Sequence, residues 1–405
     1  MKKRFILTLL LTLLALSALA QEKSQDIKIG EKFSLRSKIL NEERSYWVYL
    51  PESYDSSTYM RQSYPVLYLL DGDWHFHSAS GVVQFMSTGI NLNIQIPELI
   101  IVAILNTDRT RDLTPTHSKT GYDGKEDSSL ETSGGGNTFL KFVEDELFPE
   151  IDSAYPTLPY RILIGHSLGG LLAIHALLEV PEMFQSYIAI DPSLWWDNQV
   201  LVHRAESSFK DAQKRRGCVY ISLANNPDIG LGDPKMMEKG GRRFGKSLES
   251  ASSSSFRSTL QYFEAEDHGS VPLLSLYNGL LYIFEGYKPP LRYFVEQPRA
   301  LKTHFERISQ RLGVELLPPE SVVNQAGYMM LYQINDVDKA IELFKLNVSN
   351  FSGSYNVYDS LGEAYLVKGE KALAIENYEK SLELNPANQN AMKRLKELKN
   401  SKEHK

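Results

Sequence analysis

The chain has 405 residues and a formal charge of −6 that is spread along its length. That pattern excludes the clustered basic face of a nucleic-acid binder. Its only cysteine, Cys218, excludes an internal disulfide, so stability has to come from an apolar core.

In chain order, Lys2, Lys3 and Arg4 precede an apolar run from Phe5 to Leu16, and Ala18-Leu19-Ala20 follows. Basic start, apolar middle and small-x-small end are the order of a secretory signal peptide, so residues 1–20 are expected to be removed on export to the periplasm or beyond. The run is shorter than the ~20 residues a membrane helix needs, and no later stretch suggests a membrane span. From about 27 to 288, strand-like runs alternate with helix-like ones. Strands are predicted over 46–50, 66–70, 99–105, 161–165, 187–190, 219–223 and 259–263. Several are continuous apolar, β-branched runs, as in parallel strands covered on both faces. One intervening helix carries Phe139, Phe142, Val143, Glu146 and Leu147, mostly apolar on one face. Such alternation predicts an α/β, doubly wound, mostly parallel sheet. Cys218 lies in the run Cys218-Val219-Tyr220-Ile221 and is expected to be a buried, inert thiol.

Beyond 288 the strand signals stop. Residues 289–320 read as a linker with one helix, set between Pro289-Pro290 and Pro318-Pro319, with Leu301, Phe305, Ile308 and Leu312 on one stripe. Residues 321–400 read as a small all-α module. Tyr358, Leu361, Gly362, Tyr365, Gly369, Ala374, Tyr378 and Pro386 resemble a tetratricopeptide repeat. A shift of 34 positions aligns Leu331, Ala340 and Phe344, but puts Gly327 and Tyr328 where leucine and glycine are usual. Two repeats are fewer than the three or so that stand alone, so the module is expected to pack on the preceding domain. It also offers a surface for a protein partner.

The chemistry-bearing signal is Gly165-His166-Ser167-Leu168-Gly169, after the strand 161–165 and before the helix-like run 171–178. That context is a nucleophile elbow. Ser167 sits on a sharp turn, and glycines without Cβ atoms let strand and helix close around it. A serine hydroxyl needs a base, which follows the nucleophile in this chain order. His268 lies in Glu266-Asp267-His268-Gly269-Ser270, just past the predicted strand 259–263. An acid should orient it, leaving the sheet after the strand 219–223. Asp228 is taken first as the nearer to that strand end; Asp233, Asp197 and a dyad without a carboxylate stay open. An oxyanion needs two backbone donors. The Leu168 N–H is one, and the Asp73 N–H, in the turn Asp71-Gly72-Asp73-Trp74, is the other. Arg109 and Arg111 are candidate contacts for an anionic substrate, and Trp195 and Trp196 candidate pocket walls. His75 and His77 lack a third ligand at a recognisable spacing, so neither metal nor cofactor is expected.

Five segments then appear in order: Tyr68-Leu69-Leu70-Asp71-Gly72-Asp73, residues 109–115, Gly165 to Gly170, Pro192-Ser193-Leu194-Trp195-Trp196 and His268-Gly269-Ser270-Val271-Pro272. Together they resemble the bacterial "putative esterase" family, close to esterase D and the siderophore (enterobactin-type) trilactone esterases, over about residues 30–288. The resemblance implies an α/β-hydrolase fold and metal-free hydrolysis of a small ester, with Ser167 as nucleophile and His268 as base. It does not supply the acid, because Asn225-Asn226-Pro227-Asp228 departs from the segment such a family would show. The alternatives are a carbohydrate esterase acting on acetyl or feruloyl groups, and an inert hydrolase fold that binds partners through its repeats.

Overall fold

The computed structural model describes residues 27–88, 92, 94–209, 216–227, 233, 235–253 and 255–400. The expected signal peptide and Asp228 lie outside them. Eight strands form one sheet: β1 Glu31–Ser37, β2 Glu42–Tyr49, β3 Tyr64–Leu69, β4 Ile100–Ile104, β5 Thr157–His166, β6 Ser186–Ile190, β7 Gly217–Ala224 and β8 Phe256–Phe263. Their spatial order is β1-β2-β4-β3-β5-β6-β7-β8. The pairs β1–β2 and β2–β4 are antiparallel, and every other pair is parallel. Seven strands match the predicted runs. The eighth, β1, was not predicted: its Phe33 and Leu35 alternate with exposed polar residues on an edge, and they are only half-buried.

The continuous apolar runs have a direct cause. Along β3, Val66, Tyr68 and Leu70 point into one core, and Leu67 and Leu69 into the other. Both faces are covered, so both phases of the alternation must be apolar. The helix Leu168–Glu179 closes one face and is buried from Gly169 to Leu178. The helices Gly72–Ser87 and Val271–Ile283 close the other, with Ala79, Val83, Leu276 and Leu280 in its core. Cys218 is buried there too, and burial pushes its thiol up to about 12, so it stays protonated at neutral pH.

The second core does not stop at residue 288. It runs on through Tyr287, Phe294, Leu301, Phe305 and Ile308 to Val323, Phe344, Tyr365 and Tyr378. Residues 289–320 are therefore not a free tether: the helix Ala300–Leu312 buries its stripe in the same core. The helices Glu320–Tyr328, Val337–Asn350, Tyr355–Lys368, Lys371–Leu384 and Gln389–Asn400 complete the chain. Two close approaches define the hairpins. A side-chain carbon on Gly362 would press on the Tyr378 ring at 3.1 Å, and one on Gly327 would overlap the Phe344 ring. Gly327 thus does in the first hairpin what Gly362 does in the second, one residue out of step. The π-helical turn Met329–Ile334 takes up the extra residue, which is why a fixed 34-residue shift misaligns the glycines.

Shortening Leu301, which is 0 % exposed, tests this continuity. Leu301→Ala is expected to cost about 2–5 kcal/mol in urea unfolding. On an unattached linker the change would be worth under about 0.5 kcal/mol.

Candidate active site

Three neighbouring strands end alike at the carboxyl edge of the sheet. β3 runs into Asp71, β5 into Ser167 and β6 into Asp191, and all three residues have positive φ: 54°, 60° and 37°. A left-handed residue after a strand turns the chain abruptly. After Asp71 and Ser167 it enters a helix at once. Because β3 and β5 are paired (Leu69 opposite Ile164), the two helix amino ends sit side by side. A helix start leaves its first N–H groups without intrahelical acceptors. Leu168 opens one helix, and Asp73 is the second residue of the other. Two sets of free donors thus face the same edge, with the partial positive charge of both helix dipoles.

Ser167 adopts φ 60°, ψ −116°, a region that costs a non-glycine residue on the order of 1–3 kcal/mol. Bonds on both sides hold it there. Its N–H donates to the Ile190 carbonyl at 3.0 Å, and its carbonyl accepts from the N–H of Ser193 at 3.1 Å and of Leu171 at 2.9 Å. Any Cβ on Gly165 would overlap the Gly169 backbone, and one on Gly169 would come 3.2 Å from the Asp71 carboxylate. The elbow glycines are therefore a matter of packing. The Ser167 hydroxyl lies 3.2 Å from the Ser193 hydroxyl.

His268 follows β8 and is partly exposed. Its Nδ1 meets the Asp191 carboxylate at 2.7 Å. Asp191 stands directly after β6, whereas the sequence rule places the acid after β7. It is 0 % exposed, and its oxygens also accept from the Ala224 N–H at 3.1 Å and the Asn226 side-chain amide at 3.0 Å. Asp228, the residue first taken for this role, lies outside the described residues; the carboxylate that meets His268 comes from the end of β6. The other two alternatives are engaged elsewhere. Asp233 is exposed, pairs with Lys239 at 2.6 Å and caps the Lys235 N–H. Asp197 accepts from the Thr116 hydroxyl at 2.7 Å. The sequence did carry one signal for Asp191: an acid directly after an apolar strand, where water would otherwise be the only partner for its charge.

The remaining predicted residues divide. Arg109 grips Asp71 with two bonds of 2.6 and 2.9 Å, lies over the Trp74 ring at 5.3 Å, and reaches toward the His166 carbonyl at 3.5 Å. Its charge is met by a buried carboxylate, so its first effect is to brace the Asp71 turn against the elbow. Arg111 is not at the site's edge: it pairs with Glu42 and Asp112, alongside the buried Arg44. Trp196 is fully buried and donates its indole N–H to Thr116, as a core residue does. Trp195 is half-buried and meets Tyr122 edge-to-face at 5.5 Å. His77 is exposed, whereas His75 packs against His166 at 5.7 Å between rings. Among the described residues no cluster of three or more His, Cys, Asp or Glu side chains is arranged to hold a metal.

His166 stands between Gly165 and Ser167 in the elbow. Its ring lies 4.4 Å from that of His268. Burial, then the neighbouring His268, pushes it down to about 3, so it stays neutral and adds no charge beside His268. Burial likewise lowers His75, and pushes His175, held to Asn137 at 2.7 Å, down to about 4.

A doubly wound sheet in this order, with a serine elbow after β5 and a histidine–carboxylate pair at the same edge, defines a hydrolase of the α/β type. The chain belongs to the family described as "Putative esterase", whose model matches residues 37–243. It is 30% identical to an IroE-like serine hydrolase from Shewanella oneidensis, with a TM-score of 0.69 over 79% of this chain and 99% of that one. The ferri-bacillibactin esterase BesA of Bacillus subtilis is 28% identical over 239 residues, 57% of this chain and 82% of the relative. A siderophore triacetylfusarinine C esterase of Aspergillus fumigatus is 33% identical over 156 residues, but that match spans only 49% of the relative. An uncharacterised protein of Capnocytophaga ochracea, 19% identical, shares the fold with a TM-score of 0.57 over 91% of this chain. The chain is thus a carboxylic ester hydrolase.

The buried imidazoles set a pH dependence of stability. A histidine kept neutral by the fold, but protonated in the unfolded chain below about 6.5, favours the unfolded state in acid. Its contribution is complete above that pH and is lost as pH falls toward about 4 for His175 and about 3 for His166. Urea midpoints are expected to drop between pH 7 and 4.5, and His175→Gln to reduce that slope.

Proposed function

We propose that this chain cleaves its ester through a covalent acyl-enzyme on Ser167, with His268 as base and Asp191 as the acid behind it. One observation carries the reading: the 2.7 Å pair between His268 and a fully buried carboxylate, beside a serine held at φ 60°. In the proposed reaction His268 Nε2 takes the Ser167 proton while Oγ attacks the ester carbonyl. The oxyanion is met by the N–H groups of Leu168 and Asp73. His268 returns the proton to the departing alcohol, and water then releases the acid by the same route. Asp191 keeps the Nδ1 proton in place and stabilises the imidazolium that forms. Its two further donors, the Ala224 N–H and the Asn226 amide, support this role, since they fix the buried carboxylate in place.

The substrate class we infer is a siderophore-type ester. The named relatives are esterases of siderophores, and the site mouth presents an exposed Trp74 beside Arg109, to which an aryl group can be applied. Export stays part of the proposal. Among the described residues no helix is long and apolar enough to cross a membrane. The carboxyl-terminal hairpins are read as tetratricopeptide-like repeats from their glycine–aromatic contacts, and a protein partner on them belongs to the same proposal.

Ser167→Ala is expected to lower kcat on p-nitrophenyl acetate by on the order of 10⁶ and to abolish labelling by a fluorophosphonate probe. Retention of either, in protein free of contaminating esterase, overturns the nucleophile. Asp191→Asn is expected to cost about 10⁴ in kcat, since an amide stabilises the wrong imidazole tautomer. A loss of the same size at Asp228→Asn, with none at Asp191→Asn, returns the acid to the loop after β7. For the substrate class, enterobactin is expected to be hydrolysed faster than acetylated or feruloylated sugars; the reverse order makes the chain a carbohydrate esterase.

A further inference from the structure

The loop Asp191-Pro192-Ser193 touches both reacting side chains. Asp191 holds His268. Ser193 holds Ser167 twice, by its N–H to the Ser167 carbonyl at 3.1 Å and by its hydroxyl, 3.2 Å from the Ser167 hydroxyl. Ser193 is 3 % exposed, and a buried hydroxyl needs a partner. Among the described residues its partner is the hydroxyl of the proposed nucleophile, Ser167. The loop is also seated firmly: the Asp191 N–H donates to the Ser222 carbonyl at 2.9 Å, and a Cβ on Gly170 would meet Pro192 at 3.1 Å. The Ser193 backbone is therefore held beside Ser167, within reach of Oγ.

We infer that Ser193 is a further catalytic residue, whose hydroxyl donates a hydrogen bond to Ser167 Oγ as that oxygen leaves during deacylation. The inference rests on Ser167 being the nucleophile. In the acyl-enzyme, Oγ is an ester oxygen. Water attacks the acyl carbon and gives a proton to His268 Nε2. The tetrahedral intermediate then collapses: the C–Oγ bond breaks, its electron pair stays on Oγ, and the proton passes from His268 Nε2 to Oγ as the carboxylic acid departs. Ser193 transfers no proton. It supplies a donor to the atom on which charge is building, where such a bond is roughly twice as strong as between neutral groups.

The two half-reactions gain unequally. Before acylation, the Ser167 hydroxyl is already bonded to Ser193, so much of that bond is common to ground and transition states and cancels. Before deacylation, Oγ is an ester oxygen, a weak acceptor, and the bond strengthens only as the C–Oγ bond breaks. Loss of the Ser193 hydroxyl should slow deacylation and leave acylation nearly unchanged.

The test uses the full chain with p-nitrophenyl acetate, following the nitrophenolate burst for acylation and the acyl-enzyme by intact mass after rapid mixing for deacylation. Ser193→Ala is expected to label with a fluorophosphonate at the wild-type rate, to acylate within about threefold, and to deacylate at least about tenfold more slowly, the loss of one hydrogen bond to a charged atom. Ser193→Thr, which keeps the hydroxyl, is expected to deacylate within about threefold of wild type. Unchanged deacylation in Ser193→Ala overturns the inference, as does equal slowing of both steps without rescue by threonine. If the alanine variant has lost its melting transition, Ser193→Cys takes its place; the weak thiol donor is expected to deacylate more slowly than threonine, and equal rates overturn the inference. Failure of the underlying reading looks different: Ser167→Ala would then still take up the probe.

Discussion

The closeness of Gly165 to Gly169 is the contact on which the site depends. With no Cβ on either, β5 and the helix that follows can meet at a single intervening turn, and Ser167 must occupy that turn in a backbone conformation it would not choose. The strain is carried by the surroundings: the Ile190 carbonyl takes its N–H, and the Ser193 and Leu171 N–H groups take its carbonyl. From that one turn follow the position of the half-buried Ser167 hydroxyl, the Leu168 N–H at the helix start, and the position of His166 against His268. An alanine at 165 would separate strand from helix and dissolve all of these together.

The electrostatics of the edge follow a second rule, that a buried carboxylate must be met by enough donors to stay charged. Asp71 and Asp191 satisfy it differently. Asp71 takes two bonds from Arg109 and one from Asn106, and its charge is spent on bracing the turn that carries Asp73. Asp191 takes a backbone N–H, an amide and the His268 ring. Among the described residues no lysine or arginine pairs with it. Near the pair, burial pushes His166 down to about 3, so it adds no positive charge beside His268, and burial lowers His75 as well.

The carboxyl-terminal helices continue the core beneath the sheet. Leu301 and Phe305 share a cluster with Leu69 and Ile164 on one side and with Phe344 and Tyr378 on the other. Hairpins too few to stand as a solenoid are thereby given a base on which to stack. Glu320 adds a polar tie: its buried carboxylate accepts from the Met60 N–H at 2.9 Å and the Ser354 hydroxyl at 2.7 Å. The module and the sheet domain are joined over a packed surface.

Local signals made much of the fold legible in the sequence alone and pointed to candidate site residues. Apolar, β-branched runs, several of them continuous, marked seven strands, because both faces of a parallel sheet are covered. Gly-x-Ser-x-Gly between strand and helix marked Ser167, and a histidine just past the last strand marked His268. What they could not reach were choices made by residues far apart in the chain. Asp191 and His268 meet only because β6 and β8 end at the same edge, a meeting that no pattern along the chain encodes. Arg109 and Arg111 are two residues apart and alike in sequence, yet one is drawn to Asp71 and the other to Glu42. The one-residue slip between Gly327 and Gly362 was invisible to a fixed repeat length, because a π turn absorbs it. Short-range patterns state which residues will be buried and where the chain turns; which charge meets which is decided by the fold, since Coulombic and hydrogen-bonding partners are selected by distance in space and not along the chain.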